Sequence, residues 1–424
     1  VKSKQQKIRK ESKLKSFLKI LGPGLVTGAS DDDPSGVATY SQAGAQFGLG
    51  TLWTALLTFP LMAAMQEMCA RIGVVTGSGL TGTLKEHYPK TILYLMLLFS
   101  VPAVVLNIGA DIEGMGAVAH LIIPAMPIFG WCLIFAGLLL FAIIRFPYQK
   151  IAMILKWLCL VLCLYIVIPF MVKVQWSAVL HATFVPQLKF NKDFISILVA
   201  ILGTTISPYL FFWQATMSSE DIAQKKATVI VNKRFLTEVK EDVYFGMGAS
   251  NLVMFFIILT SGVVLFNGGI HKIDTVDQAA KALEPLAGKF AYVIFALGII
   301  GTGCLAIPVL TGSISYMVGE TFGWKVGLEK KFGSAKAFYA TIIISLIIGL
   351  SLDFAGISPI KALLYTAILY GLSSPVLIVM VLHISNNKAV MGKNVNGRWS
   401  NIAGWLTFAL MTVAAVLLVY FLFH

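Results

Sequence analysis

The sequence predicts an all-α, polytopic membrane protein with eleven transmembrane helices, built as two five-helix halves plus one appended helix. Three observations predict it. The 424-residue chain is 57% hydrophobic and only 12% charged, against about 25% charged in water-soluble domains. Apolar runs near the ~20 residues needed to cross a bilayer recur along the whole length, which excludes a single large soluble core. Two of those runs, five spans apart, are each interrupted by a proline among small and hydroxyl-bearing residues.

In chain order the spans are expected near 17–43, 47–70, 91–120, 126–144, 152–172, 194–216, 243–266, 287–318, 337–353, 359–383 and 402–423. The first 20 residues are polar and basic. They lack the apolar stretch and small-residue cleavage site of a signal peptide. Residues 1–16 therefore read as a basic tail, 17–173 as the first five-helix repeat, 194–383 as the second and 402–423 as the eleventh helix. The longest connection, about 217–242, is expected to be partly helical. Segment 267–286 reads as a mixed-charge loop. Neither is large enough for a separate domain.

The formal charge of +13 would suit a nucleic-acid partner, but its distribution suits a membrane. Of 33 Lys and Arg, seven (Lys173, Lys189, Lys192, Lys272, Lys281, Lys289 and Lys361) fall on one side of the predicted topology. The remaining 26 fall on the other, eight of them in the first 19 residues. The positive-inside rule then puts the N-terminus in the cytoplasm and His424 outside. Losing or adding a span would scramble that asymmetry. The five cysteines, Cys69, Cys132, Cys159, Cys163 and Cys304, contain no Cys-x-x-Cys and read as small apolar packing residues.

Span 1 carries the most informative stretch, Asp33-Pro34-Ser35-Gly36, directly preceded by Asp31 and Asp32. Carboxylates in hydrocarbon are expensive and are rarely left without a partner. Pro34 and Gly36 break helical hydrogen bonding, which lipid tolerates only beside protein or a water-filled cavity. Span 6 repeats the peculiarity in Leu202-Gly203-Thr204-Thr205-Ile206-Ser207-Pro208-Tyr209. Paired interrupted helices in corresponding positions point to inverted repeats with a binding site near the midplane.

The chemistry expected there is that of a cation site. Carbonyls at the end of the first half-helix carry partial negative charge, and Asp33 adds a formal one. Carbonyls near Thr204 would face it, with hydroxyls from Thr205 and Ser207. The two breaks contain no thiolate, imidazole or thioether, so hard cations such as Mg²⁺ suit them better than soft transition metals. Gly36 brings no ligand and is expected to leave room for a partly hydrated ion. Asp31 and Asp32 either hold second-shell water or lie on other faces as structural partners. In span 3, Asn107 and Asp111 share one face, and Glu113 and His120 a roughly opposite one. One of the two carboxylates is expected to line the ion path and the other to pair within the bundle. Glu67 and Arg71, one turn apart, read as an ion pair.

These residues resemble the natural-resistance-associated macrophage protein (Nramp) family of divalent metal transporters. The likeness rests on Gly22-Pro23-Gly24 at the opening of span 1 and on Asp33-Pro34-Ser35-Gly36 where the family has Asp-Pro-Gly-Asn. It also rests on Ala70-Arg71-Ile72-Gly73-Val74-Val75-Thr76-Gly77 at the end of span 2, and on Ser207-Pro208-Tyr209 where the family has Met-Pro-His. The resemblance implies a leucine-transporter-like fold and a metal site of Asp33, the Thr204 carbonyl and the residue at 207. The departures are specific. Gly36 replaces the family's Asn, Ser207 its metal-binding Met and Tyr209 its His. Asp111-Ile112-Glu113-Gly114 lacks the Glu of Asp-x-x-Glu, and span 9 has no arginine. This pattern resembles the Nramp-related magnesium transporter branch.

The resulting expectation is a Mg²⁺ transporter, also passing Mn²⁺, in a bacterial-type plasma membrane, with spans 1, 2, 6 and 7 rocking against the rest and no obligate proton symport. Tyr209, Asp111 and Glu113 are expected in the second shell or ion path. No cofactor, nucleic acid or obligate protein partner is implied; the metal ion is substrate and the bilayer is solvent. The alternatives are a proton-coupled Mn²⁺/Fe²⁺ symporter and an amino-acid transporter on the same fold. Asp31, Asp32 and Asp33 would repel an amino acid's carboxylate. An intramembrane hydrolase would need a motif such as His-Glu-x-x-His or Gly-x-Ser-x-Gly, and neither occurs.

Overall fold

The computed structural model describes residues 23–148, 150–151, 160–224, 232–351, 354 and 356–423. The expected basic tail, Gly22, the first part of span 5 with Cys159, and Lys225 and Lys226 lie outside the described residues.

Every regular element described is helical. Span 1 is two half-helices, α1 (Pro23–Asp31) and α2 (Pro34–Phe47). Span 2 is α3 (Trp53–Thr76), followed by a short α4 (Leu80–His87). Spans 3 and 4 are α5 (Lys90–Ile122) and α6 (Ile128–Arg145). The described part of span 5 is a 3₁₀ turn leading into α7 (Leu164–Met171), and α8 (Trp176–Phe184) follows it. Span 6 is again divided, into α9 (Lys192–Thr205) and α10 (Pro208–Gln224). Span 7 is α11 (Lys233–Ser261), which widens into a π turn over Gly262–Phe266.

Segment 267–286 is not a plain loop. It folds into short helices, α12 (Val276–Ala280), a 3₁₀ turn and α13 (Glu284–Ala287), which bury Ala279, Ala280, Ala282 and Leu283. The four apolar side chains explain why it packs. Spans 8 to 11 are α14 (Ala291–Phe322), α15 (Lys336–Leu350), α16 (Pro359–Asn386) and, after a one-turn α17 (Lys388–Met391), α18 (Arg398–Phe423). Among the described residues seven stretches are long and apolar enough to cross a membrane alone. Spans 1, 2, 5 and 9 are not among them. Span 1 is broken into halves of nine and 14 residues, α3 carries Gln66, Glu67 and Arg71, and the described apolar helices of spans 5 and 9 are short.

The ends of the elements follow from local chemistry. Asp33 is the N-cap of α2, and Pro34 occupies its first turn, where a missing N–H costs nothing. Asn191 and Asn232 cap α9 and α11 by accepting from Phe194 and Phe235 N–H at 2.9 and 3.0 Å. Gly77, in the left-handed region at φ 66°, ends α3.

Packing is reciprocal between the halves. α1 of span 1 lies on α11 of span 7, and α10 of span 6 lies on α3 of span 2. Both crossings are backbone-to-backbone. A Cβ on Gly28 would sit 2.2 Å from Gly246 O, and one on Gly73 would sit 1.9 Å from Ala215 O. Small residues of this kind are what allow helices to associate in lipid, where hydrophobic burial supplies no drive. Gly28→Ala is therefore expected to destabilise the protein by about 1–3 kcal/mol, read as an earlier melting transition in detergent. An unchanged transition would mean the α1–α11 contact is looser than its geometry.

At the basic end of span 2, Arg71 pairs with Glu67 at 3.0 Å and donates to the Asn394 carbonyl at 3.1 Å. The expected ion pair therefore also ties α3 to the turn before α18. Among the described residues Cys69, Cys132, Cys163 and Cys304 are free thiols, the first two buried, in keeping with a packing role.

Candidate metal-ion site

The two helix breaks meet. A Cβ on Gly36 would lie 3.3 Å from both the Asp31 carbonyl and the Thr204 hydroxyl, so residue 36 sits between the end of the first half-helix of span 1 and the Thr204 side chain of span 6. Tyr209 OH, from the start of α10, donates to the Ser30 carbonyl at 2.9 Å. Tyr40 OH and the Thr205 hydroxyl are 3.2 Å apart. A proline at the head of each second half-helix removes the donor that the preceding turn needs. That is why carbonyls and hydroxyls gather here.

Asp33 is 2% exposed. Its Oδ1 accepts from Gly36 N–H at 2.7 Å and its Oδ2 from Asn107 Nδ2 at 3.0 Å. Among the described residues no salt bridge reaches it. The same Asn107 amide donates to Asp111 Oδ2 at 3.3 Å. Asn107 thus bridges two carboxylates across α2 and α5. Asn107 Oδ1 and Asp111 Oδ1 are buried without a hydrogen-bond partner. Among the described residues no three His, Cys, Asp or Glu side chains form a metal-ligating group. A cation beside Asp33 would draw its other ligands from carbonyls, hydroxyls, amides and water.

The other expected residues are distributed as follows. Ser207 donates to the Thr204 carbonyl and, at 3.4 Å, to the Gly203 carbonyl, so two expected ligands are bonded to each other. Thr205 donates to the Ile201 carbonyl at 2.6 Å and contacts Met254 Sδ at 3.7 Å. Asp31 and Asp32 turn toward α11, where Ser250 Oγ lies 2.8 Å from Asp31 Oδ2 and 3.2 Å from Asp32 Oδ1. Glu113 lines a separate, mostly apolar cavity of about 350 Å³ between α5 and α16, with Leu106, Ala110, Ala362 and Thr366. The two span 3 carboxylates do face different surroundings. At Gly36 a Cβ would lie 3.3–3.4 Å from the Asp31 carbonyl, the Thr204 hydroxyl and the Tyr40 ring, so the room its absent side chain leaves is no wider than a methyl group. Its absent side chain lets the two breaks approach.

Several participants were not legible as such. Ser250 and Gln214, which accepts from Thr27 at 2.6 Å, are polar residues that carry no motif of their own. Ser35, 3.2 Å from Thr366 and donating to the Leu363 carbonyl at 2.9 Å, joins α2 to α16. The only signal for these was a polar residue at mid-membrane depth. A larger cavity of about 700 Å³ lies beyond the end of α2, lined by Phe47, Lys173, Gln175, His181 and Asn267 among others. Its basic lining does not suit a cation.

Comparison with known proteins agrees with this architecture. The family model described as "Natural resistance-associated macrophage protein-like" matches residues 24–421. The chain belongs to the Nramp family. Members of this family are multi-pass membrane transporters rather than enzymes. The chain is 26% identical over 415 residues to the divalent metal cation transporter MntH of Caldanaerobacter subterraneus subsp. tengcongensis, covering 96% of this chain and 94% of the relative. It is 21% identical over 418 residues to MntH of Bacillus subtilis, covering 96% and 94%. Among solved structures it is similar to the Eremococcus coleocola manganese transporter, with TM-score 0.75 at 17% identity, covering 96% of this chain and 87% of the other. It is also similar to Mhp1, a nucleobase-cation-symport-1 family transporter, with TM-score 0.59 at 13% identity, covering 94% and 90%. These two likenesses concern the fold: a leucine-transporter-like inverted repeat with broken helices 1 and 6.

Proposed function

We propose that this Nramp-family chain moves Mg²⁺, and also Mn²⁺, inward across a bacterial-type plasma membrane without obligate proton symport. Its basic face would be cytoplasmic. The observation that carries the reading is the donor set at the meeting of the breaks. It offers the Asp33 carboxylate, the Thr204 carbonyl, the Ser207 hydroxyl and the unpartnered oxygens of Asn107 and Asp111, with no thioether in either break. Mg²⁺ prefers such oxygens and gives up its waters reluctantly. Hydroxyls and an amide serve a hydrated ion through its water shell.

In this reading Asp33 is the principal ligand. Ser207 releases the Thr204 carbonyl when the ion arrives, and Thr205 and Tyr209 hold the two breaks in register. The membrane potential supplies about 4.6 kcal/mol per 100 mV for a divalent cation. That is roughly three decades of concentration ratio, so uptake needs no coupled proton.

One observation favours a second reading. Met254 Sδ stands 3.7 Å from the Thr205 hydroxyl, and a nearby sulfur suits the softer Mn²⁺. The structurally similar Eremococcus coleocola protein is a manganese transporter, which points the same way; the second reading is the proton-coupled Mn²⁺ symporter. Flux of Mg²⁺ and Mn²⁺ into proteoliposomes, with internal pH followed alongside, separates the two. Saturable entry of both ions at constant internal pH is expected. Acidification in step with Mn²⁺ entry, with Mg²⁺ excluded, would replace the magnesium reading.

A further inference from the structure

The break in span 1 presents carboxylates in two directions, and only one of them belongs to the Asp33 pocket. Asp31, the last residue of α1, and Asp32 turn to α11 and converge on a single hydroxyl, Ser250 Oγ, at 2.8 and 3.2 Å. A serine carries one O–H hydrogen and can satisfy one of these oxygens at a time. Asp31 Oδ1 is buried without any partner, on a side chain only 1% exposed. No salt bridge reaches Asp31 or Asp32 among the described residues. The C-terminal end of α1 adds its own partial negative charge at the same point. Two buried carboxylates, one hydrogen and a helix C-terminus leave this corner short of positive charge.

We propose that Asp31, Asp32 and Ser250 form a second divalent-cation site, on the α11 side of the span 1 break. The choice of a divalent metal over another cation rests on the transport reading above. The ligands are two carboxylates and a hydroxyl, an all-oxygen set suited to a hard ion that keeps part of its water. The Asp31 backbone carbonyl faces Gly36 and the Asp33 pocket, while its side chain faces Ser250. The two sites are therefore neighbours along one chain, within roughly 10 Å given ~3.8 Å between consecutive Cα atoms. An ion leaving Asp33 has a next station beside it.

The test counts Mn²⁺ bound to the purified full-length protein in detergent, by calorimetric titration and by electron paramagnetic resonance. The wild type is expected to bind two Mn²⁺ per chain and, at saturation, to show the line broadening of two spins close together. Asp31→Asn with Asp32→Asn is expected to bind one Mn²⁺ with narrow lines. Asp33→Asn is also expected to bind one. Ser250→Ala, a milder change that keeps both carboxylates, is expected to weaken the second binding event about tenfold. One Mn²⁺ per wild-type chain, lost only in Asp33→Asn, would overturn the second site and leave the transport reading intact. One Mn²⁺ lost only with Asp31 and Asp32 would uphold the site described here and remove Asp33 as principal ligand. If the double variant does not fold, an unchanged titration of Ser250→Ala overturns the proposal.

Discussion

Asp33→Ala is expected to reduce Mg²⁺ and Mn²⁺ entry into proteoliposomes to the level of empty vesicles, while the protein still elutes as folded material. The carboxylate is the only formal charge that faces Asn107 and caps α2 together. Removing it leaves the Gly36 N–H and one hydrogen of the Asn107 amide without their acceptor. Lost partners of this kind cost about 1–3 kcal/mol each, which a large helical membrane protein can absorb. The ion loses far more, because among the described residues Asp111 is the other carboxylate that Asn107 brings to the pocket. Asp33→Asn is the conservative control. It keeps an acceptor for Gly36 and should restore stability but not flux. Flux near the wild-type rate in Asp33→Ala would show that the ion does not pass between the two breaks.

Ser207→Met is expected to raise preference for Mn²⁺ over Mg²⁺ by about tenfold in competition, equivalent to ~1.4 kcal/mol. Two effects combine. A thioether enters the ion's surroundings and favours the softer metal. The Thr204 carbonyl also loses the Ser207 hydroxyl that now occupies it. Ser207→Ala separates these effects, since it frees the carbonyl without adding sulfur and should leave the preference close to wild type. Adding Gly36→Asn to Ser207→Met is expected to strengthen the shift. Its side chain would wedge between the Asp31 carbonyl and the Thr204 hydroxyl, each 3.3 Å from the position of its Cβ. That narrows the space for a hydrated ion and adds an amide oxygen. Competition curves unchanged in Ser207→Met would remove residue 207 from the ion's path.

The sequence by itself determined the class of fold, the number of spans and the location of both breaks. Hydrophobic length, proline and charge asymmetry are local properties, and in a bilayer they are nearly sufficient, because every span must satisfy its backbone within itself. Asp33, Thr204 and Ser207 stood out as candidates because each lies in or beside a break, where a side chain has no ordinary helical role. What the sequence left open was direction. Asp31, Asp32 and Asp33 are consecutive and chemically identical. Only the packing of α1 on α11 through Gly28 and Gly246 turns the first two to Ser250, and only the approach of α5 brings Asn107 to the third. Gly36 was read from its size alone as extra room; the tertiary structure shows what borders that room, the Asp31 carbonyl, the Thr204 hydroxyl and the Tyr40 ring. Local chemistry tells a membrane helix where to stop. Which neighbour its polar groups meet is decided by helices far away in the chain, through contacts between small residues that carry no distinguishing mark of their own.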